Sequence, residues 1–156
     1  MKKNNNNKIF EFNLTQSELD FIDQRLINDS IVIAKLDLSY LLLYNDSNYP
    51  WLILVPKVNE IYDLTDLEFS DQQKLLKEIN ICSDFLKKNF TVDKLNIASL
   101  GNIVKQLHIH IIARTKNDQA FPKPVWGFAD PKKYSDSQVN EIIMKIKNYL
   151  INYYND

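Results

Sequence analysis

From the N-terminus, Leu19, Ile22 and Leu26 are the first apolar positions that recur at helical spacing. Thr15-Gln16-Ser17-Glu18 before them has the pattern of a capping box, in which the Thr and Glu side chains satisfy free N–H groups of a first turn. Together they predict a helix over 15–28. Residues 31–36 and 38–44 are then β-branched or apolar runs, split by Asp37 and ended by Asn45-Asp46-Ser47-Asn48. A third run, 51–55, stops at Pro56. Short runs of this composition between polar turns predict three strands of an antiparallel meander. Ser70-Asp71-Gln72-Gln73 repeats the capping pattern, and Leu75, Ile79, Cys82 and Leu86 follow at a period of 3.6, so the main helix is expected over 71–88. Residues 94–99 and 107–114 read as a fourth and a fifth strand. Residues 117–134 hold three of the five prolines and read as loop. Ile142, Ile146, Tyr149 and Tyr153 mark a C-terminal helix over 136–154. With no internal repeat and no linker, these elements form one α+β domain over 9–156, after a polar tail over 1–8 expected to be disordered.

Composition narrows the class of function. A chain of 156 residues, 45% hydrophobic and 25% charged, is long enough for one sizeable core. A net charge of −1 offers no electrostatic footprint for nucleic acid or a membrane surface. No apolar run is long enough to span a bilayer, and the polar N-terminus lacks the apolar stretch of a signal peptide. A single cysteine cannot form an internal disulfide, and a reducing cytoplasm is expected from it. The single cysteine, Cys82, lies in the apolar pattern of the main helix and reads as a small buried hydrophobe. Lys57 and Arg114 read as solvated charges at strand ends.

The two histidines stand as His108-Ile109-His110. In a strand, residues two apart share a face, so Gln106, His108 and His110 point one way while Leu107, Ile109 and Ile111 point the other. Three readings fit that alternation. The pair can decorate a solvated sheet face. It can share a metal ion, although no Cys-x-x-Cys, third histidine or His-Glu helix motif is present to complete a ligand set. Or one imidazole can act as a nucleophile oriented by its neighbours. Gly101 and Gly127, the only two glycines, flank the pair.

The wider segment distinguishes these readings. Residues 95–114, an Asn-bearing strand, a Gly-containing turn and Gln106-Leu107-His108-Ile109-His110-Ile111-Ile112, resemble the paired signature strands of the histidine-triad (HIT) family. That family's motif alternates three histidines with apolar residues, and here Gln106 occupies the first slot. The strand ending Leu54-Val55-Pro56-Lys57 resembles the family's earlier strand, and Pro124-Val125-Trp126-Gly127 looks like the distal end of a bacterial branch. The resemblance runs over roughly residues 10–130.

It implies a HIT-like fold, an antiparallel five-stranded sheet with a main helix plus N- and C-terminal helices. It also implies a nucleotide substrate whose α-phosphorus is attacked by His108, with His110 donating to a phosphate oxygen. Asn102 and the Gly101 turn would cradle the phosphate, Asn96 would hold ribose or phosphate, and Asp46 falls where the family often has an acidic ribose-binding residue. The resemblance further implies a homodimer, with Trp126 near the partner's pocket. It implies no cofactor or metal bound by the protein, though a divalent cation can accompany a polyphosphate substrate. Two departures matter. Gln106 can hydrogen-bond but cannot transfer a proton, and Asn59 falls near the place of a further histidine in some members. Both losses favour a leaving group that departs as an anion, so a dinucleoside polyphosphate is expected ahead of a nucleoside phosphoramidate. The expectation from another class of function is a nucleotide-binding regulatory dimer with negligible turnover.

Overall fold

The computed structural model describes residues 10–155; the polar tail expected over 1–8 lies outside the described residues. Five strands, β1 (Ser30–Lys35), β2 (Ser39–Tyr44), β3 (Trp51–Pro56), β4 (Lys94–Ala98) and β5 (Ile109–Arg114), form one antiparallel sheet in the order β1-β2-β3-β5-β4. The meander is as expected. The strand after the main helix takes the far edge, and β5 returns between it and β3.

The N-terminal helix differs from the expectation. The capping box at Thr15 and Glu18 forms, but the helix it starts, α1 (Gln16–Phe21), ends at Ile22. Asp23 then caps a second short helix, α2 (Gln24–Asp29), by accepting from the Arg25 N–H. A carboxylate two residues before an N–H competes with helix continuation, and here it restarts the helix at a new angle. The main helix, α3 (Phe69–Asn89), begins earlier than expected. Its N-cap is Glu68, which makes no side-chain capping bond, so Ser70 lies inside the first turn and is not the cap. The C-terminal helix, α4 (Asp136–Asn155), forms as expected.

Two apolar layers cover the two faces of the sheet. On one, Leu41, Leu43, Leu52, Leu54, Ile109 and Ile111 meet Leu75, Phe85 and Leu86 of α3 and Ile142, Ile146 and Leu150 of α4. Cys82 is buried in this layer as expected, and burial pushes its thiol up. On the other face, Tyr40, Leu42, Trp51, Ile53 and Ile112 meet Ile22 and Leu26 of the short helices and Val104, Ala120 and Val125 of the loops. β3 is buried along its whole length, which accounts for its unbroken apolar run. α3 also buries the Glu78 carboxyl, whose Oε1 accepts from the N–H groups of Leu38 and Ser39 at 2.7 and 3.3 Å and closes the β1–β2 turn. The second face is thinner and made partly of loops. That leaves room on it for a cleft.

Candidate active site

The alternation of β5 sends Ile109 and Ile111 into the helical layer and His110 to the opposite face, opposite Ile53 of β3. His108 precedes the strand, which starts at Ile109 and not at 107. The two rings still converge, with centroids 4.8 Å apart in a T-shaped arrangement. Both line a cleft of about 400 Å³ whose walls include Tyr44, Trp51 and Trp126, with Arg25, Asp29 and Asn102 among its polar groups. His108 and His110 are only 4% and 6% exposed, so the pair is recessed and does not decorate a solvated sheet face.

The hydrogen bonds of the two rings determine their tautomers. His108 Nδ1 lies 2.7 Å from the Gln106 carbonyl oxygen. A carbonyl can only accept, so Nδ1 carries the proton and Nε2 keeps its lone pair. His110 Nδ1 accepts from the indole Nε1–H of Trp51 at 3.0 Å. Trp126 packs its edge against both partners, 5.6 Å from Trp51 and 5.3 Å from His110 between centroids. Burial lowers the His108 pKa below its ordinary value, with the Gln106 carbonyl and the Asp23 carboxylate pulling the other way. Burial, reinforced by the neighbouring His108, pushes His110 down to about 3. Both imidazoles are therefore neutral near pH 7, the state in which a ring nitrogen can be a nucleophile.

The structure brings some of the expected residues together and separates others. Asn102 and Trp126 line the cleft, and Trp126 does so on its own chain. Gly101 lines an adjoining polar hollow that shares Asn102 with the cleft. Gln106 is placed differently from the expectation. Its Oε1 accepts from Asp23 N–H at 2.8 Å and its Nε2 donates to the Phe21 carbonyl at 3.0 Å. Its amide ties the α1–α2 link to the strand lead-in, and its backbone carbonyl is the group that bonds to the histidine pair. Asp46 is buried in the β2–β3 turn, where Oδ1 accepts from Asn48 N, Asn48 Nδ2 and Lys132 N. Asn96 accepts from Arg114 Nη1 at 2.7 Å, away from the cleft.

Arg114 is not a solvated strand end. It is 2% exposed, paired with Asp118 through two nitrogens at 2.7 and 2.9 Å, and bonded to the Lys123 carbonyl. This lock fixes the 117–126 loop that carries Trp126 to the cleft. Lys57 is likewise half-buried and donates to the Leu36 carbonyl at 2.6 Å. Sequence reasoning missed Trp51, Tyr44, Arg25 and Asp29. The signal for Trp51 was its parity along β3, where it alternates with Leu52 onto the side shared with Ile53 and Val55. Arg25 is anchored by the Asp23 carboxylate at 2.9 and 2.7 Å and donates to the Ile103 carbonyl at 2.8 Å, joining α2 to the loop that carries Asn102. Among the described residues, no three His, Cys, Asp or Glu side chains are grouped to hold a metal ion. Among the same residues, no helix is long and apolar enough to cross a membrane.

Comparison with known proteins shows the family and the fold. The family model of the HIT domain matches residues 25–117. A histidine triad protein from Bradyrhizobium japonicum is 43% identical with a TM-score of 0.80, over 82% of this chain and 96% of its own. One from Sinorhizobium meliloti is 40% identical with a TM-score of 0.80, over 82% and 95%. One from Marinobacter aquaeolei is 38% identical with a TM-score of 0.81, over 84% and 96%. A hypothetical histidine triad nucleotide-binding protein from Sulfolobus tokodaii shares the fold at 16% identity, with a TM-score of 0.60 over 81% and 89%. No curated protein matches the chain.

Proposed function

Because the chain belongs to the HIT domain family, we propose that it is a nucleotide-binding hydrolase that cleaves at an α-phosphate through a nucleotidyl-His108 intermediate. The observation that carries this reading is the 2.7 Å bond between His108 Nδ1 and the Gln106 carbonyl. It leaves the Nε2 lone pair of a buried, neutral imidazole for attack on phosphorus. As the Nε2–P bond forms, the bond from phosphorus to the leaving oxygen breaks and its electron pair departs with the leaving group. The intermediate is a cationic phosphoimidazolium, whose Nδ1–H keeps its bond to the carbonyl. Water then attacks phosphorus, His108 Nε2 recovers its electron pair, and the water proton passes to solvent with the nucleoside monophosphate. Two steps replace one harder displacement. His110 donates to a non-bridging oxygen, Asn102 meets the phosphate edge of the cleft, and the Tyr44, Trp51 and Trp126 rings offer an apolar wall to the base.

The leaving group follows from the proton inventory. His110 stays neutral down to about pH 3, and the Gln106 amide is spent on Asp23 and Phe21. Neither is a general acid near neutral pH. An amine leaves poorly without a proton, whereas a phosphate leaves as an anion, so a dinucleoside polyphosphate fits ahead of a nucleoside phosphoramidate. A divalent cation would enter as part of such a substrate. The test is release of nucleoside monophosphate from a dinucleoside polyphosphate by wild type and by His108→Ala. Equal release by both proteins refutes the mechanism.

A further inference from the structure

The two histidines carry their protons on opposite nitrogens, and the reason lies in a different part of the chain for each. His108 answers to a backbone carbonyl two residues away. His110 answers to Trp51, 59 positions away in sequence, across the β3–β5 pairing. An indole nitrogen donates one hydrogen bond and accepts none. At 3.0 Å from Trp51 Nε1, His110 Nδ1 must present a lone pair, and the ring proton must sit on Nε2. Trp51 is 4% exposed and held between the Tyr44 ring at 4.3 Å and the Trp126 ring at 5.6 Å, so the donor cannot swing aside.

We propose that Trp51 is a positioning residue for the phosphoryl site, fixing His110 as the Nε2–H tautomer so that this ring meets the substrate as a hydrogen-bond donor that neither takes up nor releases a proton. The inference rests on the reading of the cleft as a phosphoryl-transfer site. Its chemistry is one of complementarity. The pair offers the cleft one lone pair, from His108 Nε2, and one N–H, from His110 Nε2. A phosphate diester presents an electrophilic phosphorus and an electron-rich oxygen, which match that order. With His110 in the other tautomer, two lone pairs would face the same phosphate. An imidazolium at His110 would set an N–H against the indole N–H. The other titratable side chains on the cleft are Arg25, Asp29 and Tyr44, and no hydrogen bond joins any of them to His110 among the described residues.

Two measurements test it. In ligand-free, 15N-labelled protein at neutral pH, long-range 15N–1H correlation spectra distinguish the two imidazole tautomers. They should show His110 protonated on Nε2 alone and His108 on Nδ1 alone. Trp51→Phe removes the indole N–H and keeps an aromatic ring. His110 should then populate both tautomers, and kcat/KM for nucleotidyl release should fall about tenfold, the scale of one lost hydrogen bond. His110→Gln, which keeps an amide N–H near the Nε2 position, should retain far more activity than His110→Ala. Wild-type spectra with His110 protonated on Nδ1 overturn the proposal without recourse to any variant. So does a folded Trp51→Phe protein whose His110 spectrum and kcat/KM match wild type. The expected spectra in a protein that releases no nucleotide uphold the tautomer lock and sink the functional reading instead.

Discussion

Lowering the pH from 7 to 5 should destabilise the folded protein through His110, and the size of the effect follows from its surroundings. The ring is 6% exposed, and its Nδ1 faces an N–H donor, so the folded state resists protonation until about pH 3. In the unfolded chain the same side chain titrates near its ordinary value of 6.5. Between those values the unfolded state binds a proton that the folded state does not, so acidification favours unfolding. The stabilising contribution is complete above pH 6.5 and shrinks as pH falls towards 3. Each pH unit in that window costs about 1.4 kcal/mol, so His110 alone should remove about 2 kcal/mol by pH 5. His108, also lowered by burial, adds to the loss. Glu78, raised by burial, opposes it, because its carboxyl holds a proton in the folded state above its ordinary value. Urea denaturation of wild type and His110→Gln at pH 7 and pH 5 separates these terms, since everything except His110 is common to both proteins. Wild type should lose about 2 kcal/mol more than the variant over that interval. Equal losses would refute the claim that His110 is held neutral by its site.

Arg114→Met should cost about 3–5 kcal/mol in urea denaturation, because it leaves the buried Asp118 carboxylate without its partner; a loss under about 1 kcal/mol would return Arg114 to the class of surface charges. Gln106→Met should cost about 1–3 kcal/mol by freeing Asp23 N–H and the Phe21 carbonyl. Gln106→His should leave the ratio of kcat/KM for phosphoanhydride and phosphoramidate substrates unchanged, because that side chain is directed to the α1–α2 link; a selective rise in phosphoramidate turnover would place it in the cleft. Elemental analysis of the purified protein should find no stoichiometric zinc, and one tightly held zinc per chain would favour the metal reading of the histidine pair.

What could be read along the chain was whatever depends on neighbours in sequence. Strand runs, the helical stripe of Leu75, Cys82 and Leu86, and the two-residue spacing of the histidines are local signals, and each has its counterpart in the fold. The family resemblance added the HIT-like sheet. What stayed hidden depends on pairing at a distance. The donor to His110 is set by the β3–β5 register, and no local pattern reports which residue of another strand faces a given ring. Gln106 shared a parity with the histidines, but the chain leaves regular strand geometry before Ile109, and parity stops predicting direction there. Its amide then finds two backbone groups at the break between α1 and α2, a break that Asp23 creates and that helical spacing alone conceals. Arg114 and Asp46 are charged residues beside loops, a context that ordinarily means solvent. Their burial arises because Asp118 and the backbone N–H groups of Asn48 and Lys132 supply matched partners.

The nucleotidyl-His108 adduct tests the central claim most directly. Protein mixed with a dinucleoside polyphosphate and quenched with denaturant within the first turnover should gain the mass of one nucleotidyl group. Peptide mapping should place it on His108, and His108→Ala should remain unlabelled while keeping its fold. Turnover in wild type with no adduct at any quench time, or an adduct on another residue, would contradict the account.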